Sequence, residues 1–156
     1  MATTNPINNA TSALTVNSAY SLPTADGNNG DVLTTNGSGT VTWEAAATGV
    51  TYEEVTDSTK AMAVNYSYGV NRGAGITLTL PAAASVGDVI QIIGIDGIWI
   101  IAQNAGQTIS VGLSDSTTGA GGSLTATDAG DCITLRCIVT DTDFRVTSMM
   151  GNITIA

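Results

Sequence analysis

The chain has 156 residues, of which 43% are hydrophobic and only 11% charged; 13 acids stand against 4 bases, there is no histidine, and the net charge is −9. Phosphate recognition needs a clustered basic surface, and Lys60, Arg72, Arg136 and Arg145 are the only bases, so nucleic acid is excluded as a partner. Without histidine no Ser-His-Asp or Cys-His set can form, whereas 25 threonines and 18 glycines favour extended backbone and tight turns.

No basic segment followed by an apolar run opens the sequence, so no secretory signal is expected. Val89 to Ala102, the most apolar stretch, is broken by Gln91, Gly94, Asp96 and Gly97 and falls short of the roughly 20 apolar residues of a membrane helix. A soluble protein without membrane insertion is expected. Residues 1 to about 20 are rich in Asn, Thr, Ser and Ala with scattered single apolars, and read as an arm that cannot fold alone. The turn-rich run Tyr20 to Asp31 comes next, and then two short strands, Val32 to Thr35 and Thr40 to Trp43. Between them Asn36-Gly37-Ser38-Gly39 tolerates the positive φ angles of a hairpin turn. Glu44 to Gly49 reads as a linker whose alanines could form one helical turn.

From Val50 onward strand and turn alternate. In Ala61 to Tyr68 the large residues Met62, Val64, Tyr66 and Tyr68 fall on one face, which predicts a single strand; Ile76 to Leu80 repeats the alternation until Pro81. Asp88 to Ile95 is apolar on both sides and leads through the turn signal Asp96-Gly97 into Ile98 to Ile101. Further strands are predicted at Thr108 to Val111, Ser123 to Thr127, Cys132 to Val139, Phe144 to Met150 and Asn152 to Ile155. About eight to ten strands without an amphipathic helix predict an all-β, antiparallel sandwich or barrel-like domain over residues 50–156, preceded by an arm and β-hairpin over residues 1–49. Cys132 and Cys137 lie five apart in one strand, hence on opposite faces and about 16 Å apart, so they are expected to stay reduced and buried.

Catalytic sets are scarce. Lys60 reads as part of a polar turn, Asp57-Ser58-Thr59-Lys60, and no acid pair can be placed across a sugar from sequence. Gly73-Ala74-Gly75 lacks the third glycine of a phosphate loop, and Gly119 to Gly122 lacks its lysine. Asp26 to Asp31 opens like a calcium loop, but the twelfth position is Gly37 rather than a bidentate glutamate; Asp141-Thr142-Asp143 could share a cation at a hairpin tip. For both, Asx-type turns are the expectation, and no metal, cofactor or enzymatic activity is assigned. Trp99, beside Asp96-Gly97, is the one candidate ligand contact, although a tryptophan among Ile98, Ile100 and Ile101 is more often core.

Tyr20-Ser21-Leu22-Pro23-Thr24-Ala25-Asp26-Gly27, followed by Gly30-Asp31-Val32-Leu33-Thr34-Thr35-Asn36-Gly37-Ser38-Gly39-Thr40-Val41-Thr42-Trp43, resembles a segment that recurs in bacteriophage tail fibres and related virion appendages. Leu80-Pro81 leading into Val86-Gly87-Asp88, Gly121-Gly122-Ser123-Leu124-Thr125 and Met150-Gly151-Asn152-Ile153-Thr154-Ile155 are similar to C-terminal β-domains of the same kind of protein. The resemblance implies a homotrimeric structural or host-recognition protein, assembled in the host cytoplasm and carried on the virion with capsid or tail proteins as neighbours. At 156 residues without a shaft repeat, the chain fits a short fibre, spike or head decoration. Leu22, Pro23, Val32, Leu33, Val41 and Trp43 are the candidate attachment and oligomerisation residues. The alternative is an adhesin that binds a receptor or host surface glycan, with Trp99 and the loop Ser114 to Gly122 presenting contacts.

Overall fold

The computed structural model describes residues 15–16, 20–46 and 49–156, and the chain divides into two compact units, Met1–Thr48 and Gly49–Ala156. Most of the polar arm expected over the first 20 residues lies outside the described residues, as do Ala47 and Thr48 of the expected linker.

Every regular element among the described residues is a strand. The first unit contains β1 (Thr15–Val16), β2 (Tyr20–Ser21), β3 (Asp31–Thr35) and β4 (Val41–Ala45). β1 pairs with β2, and β3 with β4, both antiparallel. The β3–β4 hairpin stands where the Asn-Gly signal puts it, but β4 runs on through Glu44 and Ala45, which the sequence suggests are linker. Asn36 makes the turn: its Oδ1 accepts from Ser38 N at 2.8 Å and Thr40 N at 3.2 Å, while Gly37 and Gly39 take φ of 75° and 86°.

The second unit contains twelve strands in two sheets: β5 (Thr51–Val55), β6 (Thr59–Ala61), β7 (Tyr66–Asn71), β8 (Ile76–Thr79), β9 (Val89–Asp96), β10 (Trp99–Ala102), β11 (Thr108–Val111), β12 (Ser114–Asp115), β13 (Ser123–Ala126), β14 (Cys132–Val139), β15 (Asp143–Met150) and β16 (Ile153–Ile155). Five strands pair in the order β16-β13-β10-β8-β6, and seven in the order β12-β11-β15-β14-β9-β7-β5. The two inner faces share one apolar core. Ile76, Leu78, Trp99, Ile101 and Leu124 come from the smaller sheet, and Tyr68, Val70, Ile90, Ile92, Ile133, Leu135 and Phe144 from the larger. Each large side chain so buried contributes about 1.5–3 kcal/mol, which makes this core the main source of stability.

The architecture is the all-β sandwich that the turn spacing predicts, but the pairing is mixed rather than antiparallel. From β5 to β10 the chain alternates between sheets, so β5, β7 and β9 pair in parallel, as do β6, β8 and β10. Parallel neighbours need a crossover connection, and here the facing sheet supplies it in place of a helix. Two sequence expectations change in consequence. Ala61 to Tyr68 is two strands, because Asn65 at φ 61° turns the chain from one sheet to the other. Its side chain fixes that corner by donating to Asp88 Oδ1 and accepting from Val89 N, both at 3.0 Å. Asp96-Gly97 is likewise no hairpin turn. β9 and β10 belong to different sheets, and Gly97 at φ 123° passes so close to the Arg72 carbonyl that no Cβ fits.

Candidate interaction surfaces

The first surface is the hairpin unit. Cross-strand partners share a face, so the Leu33–Trp43 and Thr35–Val41 pairs put Leu33, Trp43 and Val41 together, and the Val32–Glu44 pair puts Val32 on the opposite face. The Trp43 ring lies flat over Gly27, where a Cβ would come within 2.7 Å of it, and Trp43 Nε1 donates to the Ala25 carbonyl at 2.9 Å. The turn segment is thereby clasped onto the hairpin, helped by Ser21 N donating to the Gly39 carbonyl at 2.9 Å. Even so, no residue of β3 or β4 is buried, and Val32, Leu33 and Trp43 remain 44%, 47% and 36% exposed. Leu22 and Pro23 are half-buried. The acids Asp26, Asp31 and Glu44 accompany these apolar groups and no base does, since the first base in the chain is Lys60. Asp26 Oδ1 accepts from Gly27 N, and Asp31 Oδ2 from Asn28 N at 2.7 Å, so the stretch that opens like a calcium loop is a pair of local turns.

The second surface is the outer face of the seven-stranded sheet. Registers align Ile93, Cys132 and Met150 across β9, β14 and β15, and Gln91, Thr134 and Ser148 in the next row. Ile93 and Met150 are 40% and 65% exposed, and the two rows line an open groove of about 320 Å³. Further along, Arg136 of β14 stands directly opposite Arg145 of β15, and both are exposed. Arg136 donates to the Gly87 carbonyl at 3.0 Å, and among the described residues neither arginine forms an ion pair with an acid. Like charges directly opposite destabilise a sheet, so this pair works against the fold it sits in. The outer face of the five-stranded sheet differs: the row Thr59, Thr77, Ile100, Thr125, Thr154 crosses it, four hydroxyls with one aliphatic side chain. Such a face is content in water.

The remaining sequence candidates fall away from any shared site. Trp99 is fully buried and its Nε1 donates to the Asp131 carbonyl at 2.9 Å, so the ligand contact considered for it is corrected: the ring belongs to the core. The loop Ser114 to Gly122 is pinned from within, where buried Ser116 Oγ donates to Gln103 Oε1 and accepts from Ile109 N at 2.8 Å. At the other hairpin tip Asp141 Oδ1 accepts from Ala84 N at 2.8 Å. No group of three or more acidic or cysteine side chains fit to hold a metal occurs among the described residues. Lys60 is not in a turn but inside β6, where it pairs with Glu53 of β5; that hydrogen bond raises its pKa. Cys137 is buried, and burial pushes its thiol up, whereas Cys132 is only half-buried and lines the groove; both are free. Sequence reasoning missed the arginine pair because the bulge between Cys137 and Val139 sets which residues stand opposite.

Comparison with protein-family models and with curated proteins finds no match to this chain.

Proposed function

We propose that this chain is a structural subunit of a bacteriophage particle, a short fibre, spike or head decoration that works as a homo-oligomer, with a trimer as the expected state. The observation that carries the reading is the hairpin unit: β3 and β4 expose apolar side chains on both faces and bury none of their residues. A two-stranded hairpin alone is marginal in water, so this one gains its stability from a partner surface. The same residues carry the resemblance to virion appendages, from Tyr20 to Trp43. The chain has no histidine, and buried Gln103, Gln107 and Ser116 hydrogen-bond within and between loops. Particles labelled with an antibody to the β-domain and imaged by electron microscopy test the proposal. Regular labelling at a fixed position on head or tail is expected; particles that carry no label overturn it.

A further inference from the structure

The chain holds two Asn-Gly steps, Asn29-Gly30 and Asn36-Gly37, both in the hairpin unit and both exposed. Before a glycine the backbone nitrogen can approach the asparagine carboxamide with least obstruction, because no side chain crowds it. The two turns hold that carboxamide differently. At Asn36, Oδ1 accepts from Ser38 N at 2.8 Å and from Thr40 N at 3.2 Å, two backbone donors converging on one carbonyl. To do so the side chain folds forward past residue 37, which lays Cγ over the Gly37 nitrogen. Gly37 N donates to Thr35 Oγ1 at 3.2 Å rather than into the β3–β4 ladder, and nothing stands within 4 Å of where a Cβ would be. At the other step the neighbours hold the turn. Asp31 Oδ2 accepts from Asn28 N at 2.7 Å and from Asn28 Nδ2 at 3.2 Å, and among the described residues no backbone donor meets the Asn29 carboxamide.

We infer that Asn36-Gly37 is a self-modification site, at which the folded turn promotes its own deamidation. The Gly37 N–H gives its proton to water and the nitrogen attacks Asn36 Cγ. Charge gathers on Oδ1, where Ser38 N and Thr40 N already point, as donors do in an oxyanion hole. The bond from Gly37 N to Cγ forms, the bond from Cγ to Nδ2 breaks, and Nδ2 takes up a proton and leaves as ammonia. Water then opens the cyclic imide. Opening at Cγ leaves an aspartate at position 36; opening at the main-chain carbonyl leaves isoaspartate, with the backbone running through Cβ and Cγ. Water is the only co-reactant, nothing is oxidised or reduced, and each event adds one negative charge to the −9 of the chain.

The two products differ in what they do to the hairpin. Aspartate keeps an oxygen for Ser38 N and Thr40 N, so the turn survives. Isoaspartate lengthens the connector by one backbone carbon, and the turn no longer fits the Thr35–Val41 and Leu33–Trp43 pairs whose register it sets. The chemistry is independent of what the hairpin binds.

Ageing of the full chain at neutral pH, followed by peptide mapping with mass spectrometry and by methyl transfer from an isoaspartyl methyltransferase, tests the inference. In the folded protein Asn36 is expected to convert to both products roughly tenfold or more faster than Asn29. It is also expected to convert faster folded than in urea, where the two steps become equivalent dipeptides. Equal conversion of Asn36 and Asn29 in the folded chain, or faster conversion of Asn36 in urea, overturns the inference. Hydrogen exchange reads the consequence: Asn36→Asp is expected to leave β3 and β4 as protected as in the parent, whereas aged, isoaspartate-rich protein loses protection there and keeps it in β8 and β10. Aged protein with parent-like protection in β3 and β4 contradicts the effect on the turn.

Discussion

Trp99 is the residue at which a ligand-binding account and a packing account diverge most sharply. The ring is fully buried, begins β10 beside Ile76 of the parallel neighbour β8, and donates to the Asp131 carbonyl. Trp99→Phe removes one hydrogen bond, about 1 kcal/mol, because the Asp131 carbonyl keeps its second donor, Gly94 N at 3.0 Å. The smaller ring leaves a void of ~40 Å³, which at ~24 cal/mol per Å³ costs about 1 kcal/mol more. Trp99→Ala costs about 3–5 kcal/mol. Unfolding entropy of ~2.1 cal/mol/K per residue over the roughly 108 residues of Gly49–Ala156 converts 1 kcal/mol into about 4 °C. Calorimetric melting of the full chain is therefore expected to fall by about 9 °C for the phenylalanine and by 13 °C or more for the alanine. An alanine variant that melts within about 2 °C of the parent refutes the core assignment. The corollary concerns glycan assays: loss of binding in Trp99→Ala reports unfolding unless Trp99→Phe, with its milder cost, loses binding as well.

Other expectations follow from particular atoms. Gly97→Ala meets the Arg72 carbonyl as well as an unfavourable φ, whereas Gly87→Ala meets the φ penalty with open space around it; urea titration is expected to show the first losing at least about 2 kcal/mol more than the second, and equal losses contradict the packing described at the Asp96-Gly97 corner. Burial pushes the Cys137 thiol and the Tyr68 phenol up, and the Glu53 bond raises Lys60, so the native state holds these protons more tightly than the unfolded chain. The stability they contribute is full below the unfolded thiol value of about 8.5 and falls as pH rises. Melting temperature is expected to decline from pH 8 to 10, with Cys137→Ala flattening the first part of that decline; a flat alkaline profile in the parent contradicts it. Acrylamide is expected to quench Trp43 and spare Trp99, giving a two-component curve that becomes single and fully accessible in Trp99→Phe.

Much of the fold was legible because the β-domain obeys period two. Met62, Val64, Tyr66 and Tyr68 do share the core-facing side, and Ile76 and Leu78 point inward as their alternation predicts. What alternation does not encode is where a strand changes sheet. Asn65 and Gly97 look like an ordinary strand residue and an ordinary hairpin glycine, yet their left-handed φ marks corners. The parallel pairing follows from those corners, since a hairpin at Asp96-Gly97 makes β9 and β10 neighbours and a corner puts them in facing sheets. The apolar character of Val89 to Ile95 on both sides was visible in the sequence, but one side is core and the other is the exposed groove face. Of the candidate attachment residues, Leu33, Val41 and Trp43 come together while Val32 faces away, a division fixed by the register of β3 on β4. Arg136 and Arg145 carried no sequence signal as a pair, because eight residues of chain lie between them and the bulge between Cys137 and Val139 shifts which residues stand opposite.

The central claim is that the chain functions as part of a homo-oligomer, and sedimentation equilibrium of the full-length protein at micromolar concentration tests it directly. The account expects a species of three times the 15.7 kDa chain mass, weakened by serine at Val32 and Leu33. A stable monomer of single-chain mass, unchanged by those substitutions, contradicts it.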